Sequence, residues 1–188
     1  HADIPHRSFD ENMIVEKKDG TLWMLTRTFD GIGESFSNDG GYTWTPGRKS
    51  HIDGPCSRFH IRRLKSGRLL MINHYQFDQR IDLDDIMRQG NVKSWKGRSH
   101  LTALLSEDDG KTWPYTLLLD ERNEVSYPDA KEAADGYIYV TYDWERVTQR
   151  EILMARFTEE DILKGQLSSP NGKLRILVNK ATGQPDIH

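Results

Sequence analysis

Three stretches of the chain share one pattern of apolar and polar positions. Residues 11–27 read ENMIVEKKDGTLWMLTR, residues 58–74 read RFHIRRLKSGRLLMINH, and residues 127–143 read YPDAKEAADGYIYVTYD. In each, a half-apolar run meets Asp-Gly or Ser-Gly and a second apolar run follows. Such a dipeptide between two runs predicts a β-hairpin, because glycine takes a positive φ at little steric cost. The second arms (Leu22 to Leu25, Leu69 to Ile72 and Ile138 to Val140) are nearly continuous apolar runs. That pattern predicts strands covered on both faces.

A second motif repeats. Ser37, Asp39, Gly41 and Trp44 fall at the same spacing as Ser106, Asp108, Gly110 and Trp113, giving Ser-x-Asp-x-Gly-x-x-Trp twice. The pattern predicts a self-sufficient turn. The carboxylate accepts backbone N–H groups, glycine permits the bend, and the tryptophan packs beneath.

The spacings define a unit. Asp19 to Ser66 is 47 positions (66−19) and Ser66 to Asp135 is 69 (135−66), an excess of 22. Asp19 to Ser37 is 18 positions (37−19) and Ser66 to Ser106 is 40 (106−66), again an excess of 22. One insertion within about residues 75–97 therefore interrupts a 47-residue unit. It carries Asp82, Asp84, Asp85 and Trp95 and is expected to form a loop with a helical turn. A unit of this length with four short strands is a propeller blade. Three blades are expected, at about 10–50, 57–120 and 126–180. The third lacks the turn motif; Glu151 to Phe157 reads as a strand, and Thr158-Glu159-Glu160-Asp161 opens a short capped helix. The fold class is all-β, with the three blades forming part of a larger propeller.

Composition narrows the function. The 188 residues suffice for one domain with a substantial core. A net charge of −3 gives no bulk attraction to nucleic acid or a membrane surface. No apolar run is long enough to span a bilayer. A single cysteine, Cys56, excludes an internal disulfide and a cysteine-rich metal site. No metal or organic cofactor is implied. The first residues read like the middle of a domain, so a periplasmic or secreted location rests on the fold type alone.

The hairpins place chemistry on one rim. Glu11, Arg58 and Tyr127 each lie 8 positions before the first turn residue, and Arg27, His74 and Asp143 each lie 8 after it. These positions meet at the open ends of the hairpins. Arg98, which follows the insertion, is expected to join them. Polar residues gathered on one face of a propeller are where sites are built.

The Ser-x-Asp-x-Gly-x-x-Trp turn resembles the Asp-box of sialidases and other bacterial neuraminidase repeat proteins. The resemblance runs from residue 11 to about 157 and implies part of a six-bladed propeller, with the boxes on the edge away from the active site. Sialidases present a Glu that polarises a Tyr nucleophile, three arginines that clamp a sugar carboxylate, and an Asp acid/base. The resemblance assigns Glu11 and Tyr127 to the first pair and Arg27 and Arg98 to two clamp positions. Arg58 and His74 are carried as further substrate-contacting candidates, and His60 has no assigned role. It implies hydrolysis of terminal sialic acid or a related acidic sugar from glycans, the alternative being a non-catalytic carbohydrate-binding propeller. The first clamp arginine and the acid/base Asp belong to a propeller half outside this sequence. The 188 residues alone are therefore expected to be inactive, with the ring closed by that half or by a second copy. Plain structural readings stand beside these: Glu11 and Arg27 as a cross-strand ion pair, Tyr127 as a core aromatic, His74 as a satisfied strand-end histidine. Arg62, Arg63 and Lys65 read as a solvated turn. Pro128 departs from the small residue the family usually places after the tyrosine.

Overall fold

The three dipeptide turns close in one way. Gly20 donates its N–H to the Lys17 carbonyl, Gly67 to Leu64 and Gly136 to Ala133, each with φ between 81° and 86°. That region is open to glycine at no Cβ penalty. The computed structural model describes residues 1–76 and 97–183. The anticipated insertion, with Asp82, Asp84, Asp85 and Trp95, falls outside them.

Around the turns stand three four-stranded antiparallel sheets. The first holds β1 (Arg7–Glu16), β2 (Leu22–Thr28), β3 (Gly31–Ser37) and β4 (Arg48–Lys49). The second holds β5 (His60–Arg63), β6 (Leu69–His74), β7 (Leu101–Ser106) and β8 (Tyr115–Asp120). The third holds β9 (Val125–Glu132), β10 (Tyr137–Trp144), β11 (Glu151–Thr158) and β12 (Lys173–Lys180). Each sheet is a meander in chain order, as in a propeller blade.

Two apolar layers join the blades. Val15, Trp23, Leu25 and Ile32 of the first blade meet Phe59, Ile61, Leu69 and Met71 of the second. Leu70, Ile72, Leu101 and Ala103 of the second meet Val125, Val140, Leu153 and Phe157 of the third. Strand β6 thus sends alternate side chains into both layers and is buried throughout. Each such side chain contributes about 1.5–3 kcal/mol by leaving water.

The expectation of double coverage fails for the flanking blades. Leu22 and Met24 on β2, and Tyr137 and Tyr139 on β10, are only half-buried. The reason is position: the first and third blades end the arc, and each has one neighbour.

The basic run also differs from expectation. Arg62 Nη1 donates to the Ala130 carbonyl at 2.8 Å, and Lys65 Nζ to the Ala133 carbonyl at 2.6 Å. Arg63 bonds the Glu16 carbonyl at 2.7 Å and Asp109 Oδ1 at 2.8 Å. Arg62 and Arg63 are only half-buried and Lys65 is exposed, but all three tie the second blade to its neighbours.

Helix α1 (Glu159–Lys164) is capped at Thr158, whose hydroxyl accepts the Asp161 N–H while Asp161 Oδ2 accepts the Thr158 N–H. It buries Ile162 in the layer shared with the second blade and packs on β7 and β8. The third blade is thereby strapped to the second.

Candidate active site

Two irregularities in the inner strands build the rim opposite the glycine turns. In β9, Asp129 pairs with Thr141 and Ser126 with Asp143, so Tyr127 and Pro128 oppose Tyr142 alone. This two-against-one count is a bulge, which re-aims a side chain. Tyr127 there has φ 56°. A left-handed tyrosine costs on the order of 1–3 kcal/mol, and the following proline disfavours it further. Pro128 falls on this bulge, where the ladder is already interrupted. In β1 the register shifts between Arg7 and Asn12, and Phe9 takes φ 57°.

The two bulges bring blades one and three together. Tyr127 Oη donates to Glu11 Oε1 at 2.5 Å. The other carboxylate oxygen of Glu11 accepts from Arg27 Nη1 at 2.7 Å, and the same nitrogen lies 3.4 Å from Tyr127 Oη. Arg27 is fully buried, lies 4.4 Å over the Phe9 ring, and donates Nε to Cys56 Sγ at 3.4 Å. Arg98 Nη2 donates to the Cys56 carbonyl at 3.3 Å, and its guanidinium is 5.9 Å from the Tyr127 ring centroid. Cys56 therefore contacts both arginines, one through its side chain and one through its backbone.

The electrostatics favour an ionised Glu11. Burial works against its charge, but the Tyr127 and Arg27 hydrogen bonds and the charges of Arg27 and Arg98 outweigh that and hold its pKa below the ordinary value. Burial brings Arg98 down to about 10, helped by the nearby Arg27 charge, which still leaves it a cation at neutral pH. An ionised carboxylate thus accepts a hydrogen bond from a phenol and is flanked by guanidinium groups.

The other candidates divide. Arg58 lines a cleft of about 540 Å³ with Tyr127, Asp129, Asp143 and Arg146. His74 is 1% exposed, with Nδ1 3.0 Å from the Ser99 carbonyl oxygen and Nε2 3.2 Å from Ser57 Oγ, so its ring supports the loops behind the site. His60 is likewise buried, with Nδ1 2.9 Å from Asp129 Oδ1.

The repeated turns lie on the other rim. Asn38 accepts from Thr21, and Asp109 from the Lys18 N–H, which puts both beside the Asp-Gly bend of the first blade. In the first, Asp39 accepts the Ser37 hydroxyl and the Thr43 N–H, Ser37 Oγ accepts the Gly41 N–H, and Trp44 Nε1 donates to the Gly41 carbonyl. Asp108, Ser106, Gly110 and Thr112 repeat the first three of these bonds. Trp113 packs against the layer between the first two blades.

The BNR repeat-like domain model matches residues 9–140, more than half of the chain. The chain belongs to this family. BNR repeat-like blades with Asp-box turns are the fold of the sialidase superfamily, and the solved structures agree. The intramolecular trans-sialidase of Ruminococcus gnavus, solved with oseltamivir carboxylate, superimposes with a TM-score of 0.56 at 20% identity. The leech intramolecular trans-sialidase, solved with 2,7-anhydro-Neu5Ac, gives 0.60 at 17% identity. A protein of unknown function from Dyadobacter fermentans gives 0.51 at 18% identity, over 82% of this chain and 50% of that one. The BNR repeat-like chain is covered over 85% and 81% by the two trans-sialidases but spans only 34% and 24% of their lengths. No curated protein matches its sequence.

Three residues of the site were not marked as such by the repeat. Arg146 lies three positions after Asp143, just past the paired rim positions. Phe9 lies two before Glu11. Cys56, read only for what it excludes, sits between the arginines because the segment before β5 passes under the rim.

Proposed function

We propose that the protein is a sialidase-like exo-glycosidase that removes a terminal acidic sugar, sialic acid or a relative, from glycans. The observation that carries the reading is the 2.5 Å contact between the Tyr127 hydroxyl and the Glu11 carboxylate, made between separate blades. In this reading Tyr127 Oη attacks the anomeric carbon while Glu11 takes its proton. The bond to the leaving oxygen breaks, a glycosyl-tyrosine forms, and water later releases the sugar with the same configuration.

A tyrosine suits such a substrate. A sugar acid carries its carboxylate on the anomeric carbon, and an attacking carboxylate would meet about 4 kcal/mol of repulsion at 4 Å near a protein surface. A neutral phenol avoids this, which is why sialidases stand apart from glycosidases that use two carboxylates. Arg27 and Arg98 hold the sugar carboxylate, since a guanidinium fork matches its two oxygens. The resemblance assigns the acid that protonates the leaving oxygen, and a further arginine, to blades outside this chain. The ligands named for the two trans-sialidases agree with a sugar acid. An enzyme acting on outside glycans fits a periplasmic or secreted location.

The test is an aryl sialoside assay on the full-length protein. Tyr127→Phe is expected to lose turnover by more than about a thousandfold. A fully active variant rejects the nucleophile. Glycan binding without any turnover, unaltered in Tyr127→Phe and Glu11→Ala, identifies a binding propeller instead.

A further inference from the structure

Arg146 has no part in the scheme above, yet its side chain is fixed in place. Ser126 Oγ donates to Asp143 Oδ1 at 2.5 Å. Asp143 Oδ2 accepts from Arg146 Nε at 2.9 Å and also from Nη2. The guanidinium then stands 4.0 Å from the Tyr127 ring centroid. Ser126 and Asp143 are paired across the β9–β10 hairpin, and Ser126 is next to Tyr127 in the chain. The contacts therefore close a small circuit on the strand pair that presents the phenol. Half-exposed arginines are ordinarily solvated and lose side-chain entropy when held. Here a carboxylate and an aromatic face both hold one.

Position separates this arginine from the other two. Arg27 bonds Glu11 and Cys56 and meets the phenol at its oxygen, 3.4 Å away, and Arg98 lies farther from the ring, at 5.9 Å. Arg146 lies over the ring face itself and lines the same cleft as Tyr127.

We infer that Arg146, held by Asp143 and Ser126, is a positioning residue for Tyr127 whose charge stabilises the negative charge that builds on the phenol during attack. This rests on Tyr127 being the nucleophile. The negative charge of a phenolate spreads into its ring. A cation over the ring therefore interacts more strongly with the reacting form than with the neutral phenol. Only such a difference accelerates a step.

The nucleophilicity of Tyr127 can be read without any sugar. N-acetylimidazole acetylates tyrosine: the phenolic oxygen attacks the acetyl carbon, imidazole leaves with the phenolic proton, and an aryl acetate remains. Peptide mass spectrometry on the full-length protein gives the rate at Tyr127, with Tyr42, 88% exposed, as internal reference. Arg146→Gln is expected to slow Tyr127 acetylation roughly three- to tenfold and leave Tyr42 unchanged. Arg146→Lys, which restores the charge, should recover most of the rate. If Arg146 were only a roof over the ring, its removal would uncover Tyr127 and acetylation would quicken. An unchanged or faster rate in Arg146→Gln, with its unfolding midpoint preserved, overturns the inference. Sialoside turnover plays no part in this readout. A protein that shows the Arg146 effect but hydrolyses no sialoside loses the substrate reading alone. A hydrolase that needs Tyr127 but acetylates normally in Arg146→Gln loses the inference alone.

Discussion

Tyr127 and Glu11 are 116 positions apart in the chain and share a 2.5 Å hydrogen bond. The bond joins the first and third blades across the end of the second, and the remaining site residues are arranged around it.

Glu11→Gln keeps the shape of this contact and removes its basicity. Turnover on an aryl sialoside should fall by about 10² to 10⁴. Melting temperature should also fall, because the glutamine has one acceptor oxygen where both Tyr127 and Arg27 donate, and it removes the negative charge beside the buried Arg27. A loss of activity that only tracks unfolding contradicts the base assignment.

Glu11 ionises below the ordinary 4.5, and part of that depression comes from Arg98. The acidic limb of kcat/KM should therefore lie below 4.5 in the wild type. In Arg98→Gln the limb should move upward, since one favourable charge is gone. A pH–rate profile on both proteins checks the direction.

Buried histidines set a second pH dependence. Burial pushes His74 and His60 down to about 4, from 6.5 when exposed. For a base with a depressed folded value, the unfolded chain binds more protons between the two values. Their stability contribution is complete above about 6.5 and is lost as pH falls toward 4. Urea midpoints should decline over that window. His74→Gln should flatten the decline while lowering stability at neutral pH.

Two glycines with nearly the same φ separate backbone from packing effects. A Cβ on Gly110 would meet the Trp23 ring at 2.3 Å, whereas one on Gly20 meets nothing within 4 Å. Gly20→Ala should cost about 1 kcal/mol for the left-handed backbone alone. Gly110→Ala should cost about 1–3 kcal/mol more, from displacing Trp23. Equal losses in chemical denaturation would show that the tryptophan yields freely.

The ends of the arc lead to a prediction about association. Ile14 is 50% exposed on the free face of the first blade and Ile152 46% exposed on that of the third. Residues 1–188 expressed alone should therefore self-associate through these faces. Light scattering that finds a clean monomer argues against a second copy closing the ring.

Periodicity and turn chemistry carried most of the fold. The hairpins around Asp19, Ser66 and Asp135 and the helix cap at Thr158 could be read because local residues decide them. Register counting from those turns also put Glu11, Arg27 and Tyr127 on one rim, and Arg98 was added as the residue that follows the insertion. What could not be read depends on contacts distant in sequence. The burial of His74 by Ser57 and Ser99, and the bridging by Arg62, Arg63 and Lys65, follow from how blades stack. The bulge at Tyr127 left no sign except Pro128, whose meaning depends on the partner strand.

The second blade sets the distance between the strands that carry Tyr127 and Glu11. The thickness of its two apolar layers acts as a spacer for the reaction centre. A substitution such as Leu70→Ala should therefore register chemically as well as thermodynamically, because thinning a layer by a fraction of an ångström shifts the phenol relative to its base.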